Sequence, residues 1–209
     1  MTQPTRYDLP VPETARGHRT RAKLLEAAES VFGELGYDRA SITAITQKAG
    51  VAQGTYYKYF PSKHAIFVEL VIEFGSSVRR HLAEATKAVG DASRADIERA
   101  GLLACFEYAL EHPGLYAVVR EAQFVAPATY RAYYEAFVNG YVDHLDLPAE
   151  DAETIAWVIA GAADMLGLRW VVWERRLPPD HVLEQVRQLL DSGFSGMRAP
   201  SGRGSARRS

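Results

Sequence analysis

Residues 53–63 concentrate side chains that donate and accept hydrogen bonds: Gln53, Thr55, Tyr57, Lys58, Tyr59 and Lys63. A glutamine can address a base edge with both ends of its amide, and threonine, tyrosine and lysine can each donate to phosphate oxygens. Gly54 lies among them and lets the backbone approach closely whatever they touch. That chemistry is recognition of double-stranded DNA.

Such side chains need a rigid mount, and the flanking residues supply one. The spacing predicts a helix over 53–59 in which Tyr56 and Phe60 fall on one side as anchors, leaving an outer face without apolar residues. A preceding helix over 42–49 has an apolar side made by Ile42, Ile45 and Ala49, with Ser41 as its N-cap. Gly50 stands where that helix must stop and the chain must bend, a position that favours positive φ, and Val51 can plug the corner. Pro61 and Ser62 stop the second helix and cap the next. Ser41 and Thr43, at the start of the first helix, and Arg19 upstream complete the candidate DNA contacts.

The pattern AGVxxGTxYxYFxxK, here Ala49-Gly50-Val51, Gly54-Thr55, Tyr57, Tyr59-Phe60 and Lys63, resembles the N-terminal domain of the TetR family of bacterial transcriptional regulators. The likeness extends back through Leu24-Leu25, Ala27-Ala28, Phe32, Gly36-Tyr37 and Ser41, and covers residues 16–65. Two residues depart from it. Ala52 replaces the family's usual serine, removing a cap worth about 1 kcal/mol, and Thr46 replaces the common alanine where two helices approach. The resemblance implies an all-α fold: a helix-turn-helix DNA-binding domain over 16–65 and a helical effector-binding and dimerisation domain over 66–198. Residues 1–15 are expected as a disordered arm and 199–209 as a disordered tail, either inert or adding weak nonspecific DNA affinity.

Charge divides along the same boundary. Residues 1–65 carry nine Lys and Arg against six Asp and Glu, a net of +3, whereas residues 66–209 carry fifteen against twenty, a net of −5. A basic front on an acidic body suits one domain that meets phosphates and another that does not. Arg16, Arg19, Arg21 and Lys23 make up much of the basic front; they read either as a minor-groove arm or as a solvated helix start.

At 209 residues and 47% hydrophobic content, the chain can bury a sizeable core. The single Cys105 cannot form an intrachain disulfide and no leader-like segment opens the sequence, so a cytoplasmic location is expected. The apolar stretch 155–173 is interrupted by Asp164 and Arg169, and reads as a buried helix with no membrane role. Further helices are predicted over 62–87, 94–111, 115–123, 127–145 and 148–175, with a break at Pro113-Gly114 and a last helix, introduced by Pro178-Pro179, to 197.

Two features of this body point to partners. The helix over 129–145 carries Tyr130, Tyr134, Phe137 and Tyr141 on one stripe, with Tyr133 and His144 near it. The four stripe residues together with Phe74, Phe106, Tyr116, Trp157 and Asp164 are the candidate ligand pocket, for an apolar or fatty-acyl-like effector; the same stripe also reads as plain core. Asp164 can bind a ligand, pair with Arg169 or Arg120, or lie at an interface. Ala156, Ala160, Ala163 and Gly167 form a small-residue stripe that, with Trp170, is assigned to a homodimer interface, packing within the chain being the alternative. A dimer would set two reading helices about 34–36 Å apart on a pseudo-palindrome.

An enzyme finds little support. No phosphate-binding glycine loop or zinc-spaced cluster occurs, and His18, His64, His81, His112, His144 and His181 are scattered, so no catalytic, metal or cofactor site is expected. The other alternative is a helical small-molecule-binding protein whose DNA-binding module is vestigial.

Overall fold

Caps and prolines set the element boundaries in the computed structural model, which describes residues 6–90, 92–142 and 147–197. Among the described residues the regular elements are all helical. They are α1 (Ala15–Arg39), α2 (Ile42–Ala49), α3 (Gln53–Tyr56), α4 (Lys63–Ala88), α5 (Arg94–Glu111), α6 (Pro113–Val125), α7 (Pro127–Val142), α8 (Ala149–Gly167), a π-helical turn (Leu168–Trp173) and α9 (Asp180–Met197). Thr14, Ser41, Ser62 and Ser93 each accept a hydrogen bond from the amide three residues on, capping α1, α2, α4 and α5. Pro113 opens α6 in its first turn, where a missing N–H costs nothing, so α5 ends where expected and α6 starts before the 115 expected.

α1, α2 and α3 form a small head around Leu24, Ala28, Phe32, Ile45, Tyr56 and Phe60. α4 joins head to body: Ala65 to Val71 are all buried, and Phe67 meets Phe32 and Tyr37 of α1 edge-on at 5.3 and 5.0 Å. A second junction runs between α1 and α6. A Cβ on Gly33 would lie only 2.8 Å from the Gly114 Cα, so the two backbones cross in near contact. Beside that crossing, α1 breaks at Gly36 (φ 73°), and the freed Tyr37 amide donates to both Glu121 carboxylate oxygens at 2.9 and 2.8 Å.

The N-terminal stretch corrects one expectation. From Arg6 onward it is a docked strap, with Tyr7 and Leu9 packed on the core. The Val125 carbonyl can only accept, so His64 Nε2 donates to it at 3.1 Å, and Nδ1 accepts from the Tyr7 hydroxyl at 2.9 Å. Aromatic and leucine anchors hold this stretch to the core. Residues 1–5, the tail from 198 onward and His144 lie outside the described residues.

Candidate nucleic-acid interface and effector cavity

The two-helix reader is built by local hydrogen bonds. The Ser41 hydroxyl accepts from the Ala44 amide at 3.1 Å, and the buried Thr46 hydroxyl donates to the Thr43 carbonyl at 3.0 Å. Thr46 thus spends its extra polarity on its own helix. Gly50 is left-handed (φ 66°, ψ 35°), and the Val51 amide closes the turn on the Thr46 carbonyl at 3.1 Å. Ala52 makes no side-chain cap, as its identity predicts.

α3 is shorter than the 53–59 expected. After Tyr56 the chain tightens, with Lys58 donating to the Thr55 carbonyl at 3.2 Å and Tyr59 to that of Tyr56 at 2.9 Å. Tyr56 and Phe60 are fully buried, and the Tyr56 hydroxyl, pushed well above the usual phenol range by burial, donates to the Ser62 carbonyl at 2.9 Å. Opposite them Gln53, Gly54, Tyr57 and Lys58 are exposed, as are Arg19, Ser41 and Thr43; Thr55 and Tyr59 are half-buried. A Cβ on Gly54 would meet nothing within 4 Å, so nothing inside the chain requires glycine there.

Two basic residues turn inward. Lys63 donates to the carbonyls of Tyr37 and Ala40 at 2.7 and 2.9 Å and lies 4.2 Å from the Tyr37 ring centre, which satisfies the end of α1. At most one of its three protons stays available for a phosphate. Arg21 pairs with Glu69 and, at 2.9 Å, with Glu73, tying α1 to α4 instead of extending the basic arm. Neither partner could be read from local spacing, because each lies far along the chain.

In the body, a cavity of about 580 Å³ opens between α4, α5, α7 and α8. Leu82, Ile97, Leu102, Cys105, Phe137 and Ile159 give it apolar walls, and Arg79, Lys87, Arg94, Glu98 and Tyr141 give it polar ones. Burial pushes the Cys105 thiol up to about 12, leaving it a neutral wall group. A second hollow of about 40 Å³ adjoins it through Cys105, Phe137 and Ala163, and is lined also by Phe106, Tyr116, Tyr134 and Asp164. Of the expected pocket residues these six, counting Tyr141 and Phe137, face one space or the other. Phe74 is core, stacked near Tyr108 and Tyr133; Tyr130 bonds the Tyr134 hydroxyl at 3.4 Å; Trp157 stacks on Tyr134 from outside and is 43% exposed. These three lie outside the cavity. Asp164 is claimed by Arg120, which donates to both its oxygens at 2.7 and 2.6 Å, and this hydrogen bond raises the guanidinium further.

Among the described residues Glu98 is the one carboxylate lining the larger cavity. Desolvation lifts it from 4.5 to about 7 against the opposing pull of Arg94, whose Nε lies 2.6 Å away. A raised acid pKa stabilises the fold fully below the unfolded value and loses that contribution as pH climbs through the folded one. Between pH 4 and pH 8 the protein should therefore lose up to about 3 kcal/mol relative to its Glu98→Gln variant, read from urea melts at the two pH values. An unchanged difference would refute the shift.

The assigned dimer face is corrected. Ala156, Ala160 and Gly167 are buried within the chain. Ala160 and Ala163 border the hollows, and a Cβ on Gly167 would meet the Tyr116 hydroxyl at 2.5 Å. Trp170 is also buried, between the Arg169 and Arg176 guanidiniums at 4.9 and 4.8 Å. The small residues let α8 approach its own bundle. The large apolar residues left exposed on α8 and the π-helical turn are Trp157, Val158, Met165, Val172 and Trp173, with Leu189 on α9. By length and composition alone the helical stretch Glu150–Trp173 could also cross a membrane; one face of it is buried and the other exposed, so it is only in part the buried helix the sequence suggested.

Residues 24–70 match the family described as "Bacterial regulatory proteins, tetR family". These residues carry the N-terminal segment of the TetR family. Over 90 residues, 43% of this chain, it is 38% identical to the uncharacterized HTH-type transcriptional regulator YdgC of Bacillus subtilis, and that stretch spans 46% of YdgC, less than half its length. The HTH-type transcriptional regulator TtgR of Pseudomonas putida is 27% identical over 199 residues, 86% of this chain and 91% of TtgR. The structure of the transcriptional regulator FadR from Bacillus subtilis in complex with stearoyl-CoA superposes with a TM-score of 0.65 at 20% identity, covering 83% of this chain and 98% of that one. At that identity the likeness bears on the fold alone. The TetR fold accounts for a head of three helices on a helical body, and the TetR match centres on the reader α2–α3 and the connecting α4.

Proposed function

We propose that this chain is a DNA-binding transcriptional regulator and not an enzyme, acting as a homodimeric repressor that a small molecule releases from a pseudo-palindromic operator. The observation that carries the reading is the outer face of α3. Polar side chains surround a glycine with open space above it, on a helix held from behind by two fully buried rings. YdgC and TtgR, both named HTH-type transcriptional regulators, support it. The exposed apolar face of α8 and α9 supports a dimer, since contiguous apolar surface favours association. The cavity supports an apolar or fatty-acyl-like effector, as does the stearoyl-CoA held by FadR. Such a ligand acts only if it binds the DNA-competent and DNA-incompetent states unequally. Phe67, Leu70 and Phe74 in α4, and Glu121 at the α1 break, are the contacts through which that difference would reach the head.

Anisotropy titration with DNA flanking its own coding sequence tests the proposal, and three variants separate the roles. Lys58→Ala should weaken all sequences alike and reduce the salt slope by about 1, whereas Gln53→Ala should reorder preferences among sites. Gly54→Ala should leave the fold as stable as before, having room for its methyl, and yet weaken operator binding. Absence of any sequence-specific binding at moderate salt would sink the regulator reading.

A further inference from the structure

The larger cavity carries a charge imbalance that its apolar walls do not need. Arg79, Lys87 and Arg94 line it, and among the described residues Glu98 is the only carboxylate in its lining. Glu98 is engaged by Arg94 at 2.6 Å. Among the described residues Arg79 has a hydroxyl partner, Ser76 at 3.3 Å, and neither Arg79 nor Lys87 has a carboxylate. Both come from one face of α4, eight residues apart, which places them about 12 Å from each other along the helix. Tyr141 lies on the wall between α7 and the start of α5, with the Arg94 guanidinium 5.0 Å from its ring centre. Its hydroxyl oxygen is buried and makes no hydrogen bond. A buried phenol without a partner is costly, and one that borders a cavity is satisfied by whatever fills it.

We propose that the ligand of this cavity is an amphipathic organic acid, its anionic head held by Arg79, Lys87 and the Tyr141 hydroxyl and its apolar body laid against Leu102, Phe137 and Ile159. This rests on reading the cavity as the effector site and specifies the charge of what enters it. A carboxylate accepts from an arginine, a lysine or a phenol, whereas a neutral alcohol offers no charge and an amine adds repulsion. The cavity's volume of about 580 Å³ lies in the range that takes a ligand of drug size.

Calorimetry with the full chain, in the absence of DNA, compares decanoate, 1-decanol and decylammonium below their aggregation limits. Decanoate should bind one per chain, at least about tenfold tighter than decanol, and decylammonium should bind weakest. Arg79→Gln with Lys87→Gln should abolish that preference while decanol binding stays, and Tyr141→Phe should weaken decanoate severalfold with its ring intact. Equal affinity for acid and alcohol, no saturable binding of decanoate, or a preference that survives the double variant would each overturn the assignment. DNA affinity is measured separately: decanoate that binds as described without loosening DNA upholds the site and removes its regulatory role.

Discussion

Gly33→Leu lowers the stability of the chain by about 1–3 kcal/mol and weakens the joint between DNA-reading head and body. The first atom of any side chain there would stand 2.8 Å from the Gly114 Cα, which is backbone and cannot rotate away. Relief requires α1 and α6 to separate, and the bond from the Tyr37 amide to Glu121 lies on the same seam. A melting point lower by several degrees is expected, with faster amide exchange at Tyr37 than elsewhere in α1. Gly54→Ala is the control: it is also a glycine in a helix, but has empty space above it. Equal melting points for wild type and Gly33→Leu would show that the crossing is looser than its geometry.

Met165→Glu has the larger effect on assembly. Met165 is 56% exposed, near the middle of a face that runs through Trp157, Gly161, Leu168 and Val172 at spacings of three and four residues. In a single chain a glutamate there meets water and costs little. In a two-fold dimer built on this face, two carboxylates would be buried without partners, and dimer dissociation should strengthen by about 100-fold or more. Sedimentation of the variant should give a folded monomer, and its DNA affinity should fall with it, because a lone head reads too few base pairs. A Met165→Glu protein that stays dimeric would move the interface elsewhere.

Legibility followed sequence distance. Ser41, Gly50, Tyr56 and Phe60 act through neighbours a few residues away, so their roles could be read from spacing, and the structure places each as expected. α3 ended early because what stops it, the tight turn through Lys58 and Tyr59, is a choice between i→i+3 and i→i+4 bonds that composition does not set. Local spacing leaves Lys63 and Arg21 as free cations because their partners, Tyr37, Ala40 and Glu69, lie 23 to 48 positions away. The α8 stripe failed for a related reason. Periodicity finds the small-residue stripe on that helix, but whether it turns inward depends on Phe106 and Tyr116, contributed by α5 and α6. The cavity was only half legible: the tyrosine stripe marked one wall, while Arg79, Lys87, Arg94 and Glu98 reached it from α4 and α5.

The central claim is that two copies of the α3 face read DNA together. Footprinting of the full chain on the DNA beside its own coding sequence, with stoichiometry from the same titration, tests it most directly. The account predicts two symmetric protected half-sites with centres about 34–36 Å apart, or a multiple of that spacing, filled by two chains at once and lost in Met165→Glu. Protection of no particular sequence, or a single half-site filled by one chain, would contradict it.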